Sequence, residues 1–336
     1  MPLSRLASLL ANNAAQPVDR SLAPLIEAVQ QRFCDHPLAD NVPSGGARGT
    51  NNIQAILFYG SCMRQNSSPR GIADIYVLVD SYRHCYRHRP MAWANAWLPP
   101  NVFMLKAADT DPQRQQHEDD RPPSQQLAKC AVLTLEDFEA GLRRWFHSYL
   151  WGRFAQPCRL VYQRDAHIAE RIHQARAEAV TRLLSATVPL MPTTFTASTL
   201  WQQALACCYA TELRPERQGR AAELADHDAA LYQQLTEALA IPGLRRDGQA
   251  FSYATDARVR GQAKRAWWWR RRVGRTLNVL RLIKAAFTFS GGIDYLLWKL
   301  ERHTGTPIAA SERLRRHPLI FGWPLLWRLW REGRLG

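Results

Sequence analysis

Two apolar runs, Ile53–Tyr59 and Ile72–Val79, constrain the fold of this chain more than any other feature. Both are largely apolar throughout and do not alternate, as expected for central strands of a sheet that is covered on both faces. Gly60 and Ser61 follow the first run directly, and Asp74 lies near the start of the second run. The sequence therefore predicts two core strands, with a Gly-Ser turn after one and a carboxylate on the other.

Composition and periodicity divide the rest of the chain into three parts. Further strands are predicted at 101–107, 127–135 and 158–163, and helices at 21–33, after Thr134, and near 165–187, 197–213 and 221–240. A linker at 241–261 leads to a basic C-terminal part. Apolar residues make up 46% of the chain, so a substantial core is available. We expect an α/β unit with a mixed sheet over 1–164, a helical unit over 165–255 and an appendage over 256–336.

The Gly-Ser turn and the carboxylate suit phosphate chemistry. A glycine after a strand lets the backbone approach a phosphate closely, and a following serine adds hydroxyl and N–H donors. A carboxylate on the adjacent strand, here Asp74, can hold Mg²⁺ against the same phosphates. This pattern is typical of nucleotidyltransferases of the polymerase-beta type, whose signature is Gly-Ser, a loop and Asp-x-Asp. A surface turn between two core strands is the simpler alternative, and it explains Gly60 but not an aspartate leading an apolar strand.

Tyr76 occupies the position where that signature has its second aspartate. Strand alternation places Asp74, Tyr76 and Asp80 on one side, but Asp80 is roughly 20 Å from Asp74 at about 3.3 Å per residue. That distance is too long for the two carboxylates to share a metal ion. We therefore expect Asp74 to be the metal ligand of this strand, and Asp80 is kept only as a second candidate for binding metal.

Four sequence blocks, in this order, resemble the mitochondrial-type phosphatidate cytidylyltransferases, which are peripheral CDP-diacylglycerol synthases. The blocks are FYGSCMRQ at 58–65, ADIYVLVD at 73–80, the run KCAVLTLEDFEAGLRRWFHSYLWGRFAQPCRLV at 129–161, and CCYATELR at 207–214. The matching positions are Tyr59, Gly60, Ser61, Gln65, Asp74, Val79, Asp80, Lys129, Leu142, Trp145, Tyr149, Gly152, Arg153, Pro157, Tyr209 and Arg214. Members of this family also lack the second aspartate. The chain differs from them at Glu212, where they tend to have aspartate, in the loop 109–126 and beyond about 255.

The resemblance implies a nucleotidyltransferase domain, a winged-helix-like helical domain and an amphipathic helical C-terminal tail that binds membrane. The implied reaction transfers CMP from CTP to phosphatidic acid, giving CDP-diacylglycerol and pyrophosphate, with Mg²⁺ as cofactor. The implied site residues are Tyr59, Gly60, Ser61 and Gln65 for the nucleotide, Asp74 and Lys129 for catalysis, and Arg153, Tyr209 and Arg214 for the lipid phosphate.

A phosphate acceptor accounts for the missing second carboxylate. A hydroxyl nucleophile needs a base to remove its proton. A phosphate monoester has a second pKa of about 6 and is already mostly deprotonated near pH 7, so its site must chiefly supply cations. Simpler explanations stay open for the individual candidates: solvent exposure for Lys129, helix capping for Arg153, a surface loop for Arg214, a core position for Tyr209 and a strand end for Asp80.

The C-terminal part carries most of the net charge. Residues 256–336 hold 18 Lys and Arg against 5 Asp and Glu, a net +13 of the chain's +15, together with seven of its twelve tryptophans. No run there approaches the roughly 20 apolar residues that a spanning helix needs, so we expect the tail to lie in the interface of an anionic membrane. The alternatives are that its helices pack on the globular units, or that it binds nucleic acid, which we do not expect.

The remaining features bear on the compartment. The seven cysteines form no CxxC pair, which favours buried, reduced thiols over zinc ligands. The apolar run near the N-terminus is too short for a signal peptide, and a transit peptide stays open. We expect a peripheral protein on the cytoplasmic face of a bacterial inner membrane, or on the matrix side of a mitochondrial one. Two other functions stay open: a nucleotidyltransferase acting on RNA or a protein hydroxyl, and an inactive membrane-binding scaffold.

Overall fold

A computed structural model describes residues 2–34, 52–65, 72–86, 89–108, 125–212 and 219–288. The strands are β1 (Ile53–Tyr59), β2 (Ile72–Val79), β3 (Asn101–Ala108), β4 (Gln125–Thr134), β5 (Arg159–Gln163), β6 (Thr194–Thr196), β7 (Arg245–Asp247) and β8 (Ala250–Ser252). The helices are α1 (Pro2–Ala14), α2 (Ala23–Cys34), α3 (Ser61–Gln65), α4 (Tyr82–Cys85), α5 (Arg89–Trp97), α6 (Leu135–Arg143), α7 (Trp151–Phe154), α8 (Ala166–Thr187), α9 (Ala197–Tyr209), α10 (Arg220–His227), α11 (Ala229–Glu237) and α12 (Ala257–Thr288).

The first five strands form one mixed sheet in the order β3-β4-β2-β1-β5. β2 and β4 are parallel, whereas the other three pairs are antiparallel. All five strands were predicted, and the bounds of β1 and β2 agree with the sequence. The mixed α/β sheet with helices is therefore confirmed, and its central strand is β2, flanked by β4 and β1.

Both faces of this sheet are covered, which explains the two uninterrupted apolar runs. One face packs Leu57, Tyr76 and Leu133 in a core that includes residues of α6, α7 and α8. The opposite face packs residues such as Ile56 and Val77 against α2 and its neighbours. Alternate residues of each strand thus enter two different cores, as the side-chain period of two requires.

The helical unit is built on α8, which packs against α1, α6 and α7. Arg176 of α8 is fully buried and donates to the carbonyl oxygens of Leu10, Phe154 and Gln156. Because buried guanidinium donors need acceptors, these bonds fix α1 and α7 against α8. The amphipathic α1 was not predicted as a helix.

Two predictions in this unit were wrong in detail. The expected helix near 221–240 is two helices, α10 and α11, which meet at Asp228. The expected linker at 241–261 contains the hairpin β7–β8, and β8 also pairs with β6 to give a second sheet in the order β6-β8-β7. These three-residue strands are too short to produce a readable alternation.

The expected basic tail begins as a helix, but α12 packs on the rest of the protein. Trp267 is buried, and its indole Nε1 donates to the carbonyl oxygen of Ala186. Further along, Gly274 faces Thr211, where a Cβ atom would lie 2.8 Å from the backbone oxygen. Among the described residues, no helix is long and apolar enough to cross a membrane. The amphipathic segments expected beyond 288 lie outside the described residues.

Candidate functional site

The Gly-Ser turn and Asp74 are in direct contact at the end of β1. Gly60 has a φ of 96°, a backbone conformation that glycine adopts without steric cost. A Cβ atom at this position would lie 2.9 Å from Oδ2 of Asp74, so the close approach also requires glycine. Ser61 follows as the first residue of α3. The sheet register places Tyr59 opposite Asp74, which fixes the turn against the carboxylate.

Six of the predicted site residues line one pocket of about 150 Å³ between the sheet and the helical unit. These residues are Tyr59, Gly60, Ser61, Asp74, Arg153 and Tyr209. The helical unit contributes Glu212 and Arg220 to the same walls. Residues from the first and last of the four sequence blocks therefore meet across the pocket.

Arg153 lines this pocket and is a hydrogen-bond partner of Tyr76. Its Nη1 donates to the hydroxyl of Tyr76 over 2.9 Å, and its Nη2 pairs with Oε1 of Glu212 over 3.0 Å. The guanidinium also lies 5.3 Å from the ring centroid of Tyr59 and 4.6 Å from that of Tyr149. Burial raises the pKa of Tyr76, so the residue at the place of a second aspartate is a neutral phenol that accepts from an arginine.

A positive potential surrounds Tyr149. Burial alone would raise the pKa of this phenol, but the charges of Arg153, Arg281 and Lys129 outweigh burial and lower it. Lys129 lies beside Asp74 on the neighbouring parallel strand and faces the same side of the sheet by alternation. Lys129 does not line the pocket, yet its charge reaches the pocket wall. The arrangement can hold a dianionic group.

The sequence did not identify Arg281 as part of this site. This residue belongs to α12, and its guanidinium lies 4.2 Å from the ring centroid of Tyr149. Its Nε donates to the carbonyl oxygen of Pro99 over 3.0 Å. One arginine among many in a basic tail carries no local signal, because only the fold brings it to Tyr149.

The sequence also did not identify Arg64 and Gln156, two polar residues that line the pocket. Arg64 of α3 pairs with Asp228 over 3.1 Å and donates to Oε1 of Gln156 over 3.2 Å. The hydroxyl of Tyr209 donates to the same Gln156 oxygen over 3.2 Å. Arg64 stands inside the block FYGSCMRQ, so its nearness to Gly60 was the available signal. These contacts join α3 to the helical unit.

Two predicted site residues, Asp80 and Lys129, do not line this pocket. Asp80 lies just beyond the opposite end of β2 from the Gly-Ser turn, where its carboxylate is 3.3 Å from Nδ1 of His84, and it does not line the pocket. The side chain of Gln65 and the whole of Arg214 lie outside the described residues. The guanidinium of Arg153 forms an ion pair with Glu212, so this residue does more than cap a helix.

The donor set fits one magnesium ion held jointly with a phosphate ligand. The described residues contain no group of three or more His, Cys, Asp or Glu that could hold a metal ion by themselves. Mg²⁺ usually binds one or two carboxylates together with water and substrate phosphates, so Asp74 beside the Gly-Ser turn meets that requirement. Glu212, the other carboxylate on the pocket wall, is paired with Arg153.

Comparison with known proteins adds no identification. No family model matches the chain, and no curated protein matches it.

Proposed function

We propose that this protein is a nucleotidyltransferase that transfers CMP from CTP to phosphatidic acid, giving CDP-diacylglycerol and pyrophosphate. The observation that carries the proposal is the contact between the Gly60–Ser61 turn and Asp74 in a pocket whose other wall holds the half-buried Arg153. The mixed sheet supports a nucleotidyltransferase domain, and the helices with the small sheet β6-β8-β7 support a winged-helix-like second domain. The choice of CTP and of phosphatidic acid rests on the four-block resemblance.

In the proposed reaction, a phosphate oxygen of the lipid attacks the α-phosphorus of CTP, and the bond from that phosphorus to the pyrophosphate oxygen breaks. The turn at Gly60 and Ser61 presents backbone N–H groups to the triphosphate. Mg²⁺, when bound at Asp74, would neutralise charge on the triphosphate oxygens. The lipid phosphate and the triphosphate repel each other because both are anions. Three cations offset this repulsion: Arg153, Arg281 and Lys129. Positioning and charge neutralisation supply the catalysis.

A hydroxyl acceptor on RNA or protein is the second candidate, and the pocket favours it less. That chemistry needs a general base near the nucleophile. Among the described wall residues, Asp74 is committed to metal and Glu212 is paired with Arg153. An acceptor that is already an anion needs no such base, which supports the phosphate acceptor.

The proposal includes peripheral attachment to an anionic membrane. Trp268 and Trp269 of α12 are about half exposed, at 49% and 56%, and belong to the basic C-terminal part. Tryptophan prefers the headgroup level, and nearby arginines are attracted to anionic lipid. The site then faces a lipid supply on the cytoplasmic or matrix side of an inner membrane.

The test crosses the four nucleoside triphosphates with phosphatidic acid, RNA and no acceptor, and measures pyrophosphate release with Mg²⁺. We expect release with CTP only when phosphatidic acid is present, and we expect Asp74→Asn to abolish it. Asp80→Asn is the matched control, because Asp80 directly follows the same strand and lies outside the pocket. Release that depends on RNA and not on the lipid would support the second candidate, and no release with any nucleotide would support an inactive scaffold.

A further inference from the structure

A second pocket of about 380 Å³ opens between α5, the segment after α6 and α12. Its size lies within the range of roughly 300–1,000 Å³ typical of small-molecule sites. Much of its wall is apolar and includes Trp97, Trp145, Phe146 and Leu277. Three of its ten lining residues are polar, namely Asp137, His147 and Arg281. The carboxylate of Asp137 accepts a hydrogen bond from the hydroxyl of Tyr82, and the apolar remainder of the wall can hold a hydrocarbon chain.

The two pockets share a boundary. Arg281 lines the second pocket, and its guanidinium stacks on Tyr149, which lines the first. The chain also passes directly from one to the other, because Trp145 and His147 line the second pocket whereas Tyr149 lines the first. A ligand with a phosphate at one end and an apolar portion at the other would span this boundary with its charge at Arg281.

His147 is the polar group of the second pocket that no partner accounts for. It is 9% exposed, and its Nδ1 is buried without a hydrogen-bond partner. Burial, reinforced by the charges of Arg281 and Arg182, lowers the pKa of His147 to about 3, so the ring is neutral. A neutral imidazole can donate one hydrogen bond to a carbonyl oxygen. Nδ1 is enclosed by the protein, so a ligand in the pocket meets the rest of the ring, whose N–H can donate when the proton is on Nε2.

We infer that the second pocket binds the ester-linked acyl chain of an anionic phospholipid whose phosphate lies beyond Arg281 in the first pocket. This inference rests on the proposed function for the identity of the phosphate-bearing lipid. The ester carbonyl accepts a hydrogen bond from His147, and the chain lies against Trp97, Phe146 and Leu277. The exposed indole of Trp97, at 79%, forms the rim at which the chain enters.

The test uses phosphatidic acid that carries a photoreactive diazirine in one acyl chain, presented to the full-length protein in detergent micelles without nucleotide. We expect labelling of peptides that contain Trp97, 145–147 or Leu277. Leu277→Trp and Ala96→Trp fill the pocket from two sides. Each substitution should remove the contact of the pocket with about two methylene groups of the acyl chain and so lower this labelling about tenfold. Val279→Trp is the matched control, since Val279 is on the same helix, exposed and outside the pocket, and labelling should not change.

A second measurement isolates His147. The wild-type protein should bind ester-linked phosphatidic acid more tightly than an ether-linked analogue, which lacks the carbonyl groups. His147→Phe should erase this preference while labelling of the pocket continues. Labelling confined to other peptides, or equal labelling of Leu277→Trp and Val279→Trp in folded protein, would overturn the inference.

These outcomes are separable from failure of the proposed function. Lipid-dependent pyrophosphate release with labelling elsewhere contradicts the acyl site alone. Labelling at the pocket without any nucleotide turnover contradicts the proposed reaction and leaves the lipid site standing.

Discussion

Replacing Gly60 by alanine tests the contact that defines the candidate site. The φ of 96° costs a residue with a Cβ atom about 1–2 kcal/mol. In addition, the new Cβ atom would lie 2.9 Å from Oδ2 of Asp74, whereas ordinary contact begins at 3.4 Å, so the carboxylate must move by about 0.5 Å, the difference between the two. A displacement of 1 Å at a reacting centre can cost about 100-fold in rate, so a shift of half that size predicts a loss of about tenfold.

Gly219→Ala is the matched control for this substitution. Gly219 has a φ of 93°, nearly the same as Gly60, but no described residue lies within 4 Å of the position of its Cβ atom. Both variants should lose about 1–2 kcal/mol in the free energy of unfolding, measured by urea denaturation. Only Gly60→Ala should also lose CTP- and lipid-dependent pyrophosphate release. Equal specific activities in the two variants would refute the placement of Asp74 against the turn.

Three further predictions concern α12, His147 and the C-terminal part. Gly274→Ala should lower the free energy of unfolding by about 1–3 kcal/mol, because its Cβ atom would lie 2.8 Å from the backbone oxygen of Thr211. Gly261→Ala is the control on the same helix. No described residue lies within 4 Å of its Cβ position, so this substitution should raise the free energy of unfolding by up to about 1 kcal/mol. Equal urea midpoints would contradict the packing of α12. His147, with its pKa lowered to about 3, stays neutral while the unfolded chain takes up a proton below about pH 6.5, so stability is lost as the pH falls. Between about pH 7 and pH 5, wild type should lose about 2 kcal/mol more than His147→Leu, and identical losses would exclude a buried neutral imidazole. The full-length protein with Trp268→Ala and Trp269→Ala should float with phosphatidic acid liposomes less than wild type, because these exposed indoles form the proposed membrane contact; equal flotation would contradict that contact.

The sheet was predictable because its strands carry a strong local signal. β1 and β2 are uninterrupted apolar runs, and both their bounds and their place at the sheet centre agree with burial on two faces. The short strands β6, β7 and β8 were missed, because three residues in a partly exposed hairpin show no periodicity. α1 was not predicted, because a short apolar run near an N-terminus is also typical of a targeting segment; in the structure, Leu6 and Leu10 are buried one turn apart.

The candidate site was predictable only in part. Gly60 and Asp74 could be paired from the sequence because they flank one loop between neighbouring strands. The partners of Arg153 could not, since Tyr76 and Glu212 are far from it in the chain and meet it through the packing of two units. Arg281 was assigned to a membrane-binding tail because net charge describes a segment and not the contacts of its individual residues. Long-range packing determines which of many arginines faces an anionic site.

The most direct test of the central claim is pyrophosphate release from CTP, with and without phosphatidic acid, in wild type, Asp74→Asn and Asp80→Asn. The account predicts lipid-dependent release in wild type and Asp80→Asn, and none in Asp74→Asn. Release that is unchanged in Asp74→Asn, or that does not require an anionic lipid, would contradict it.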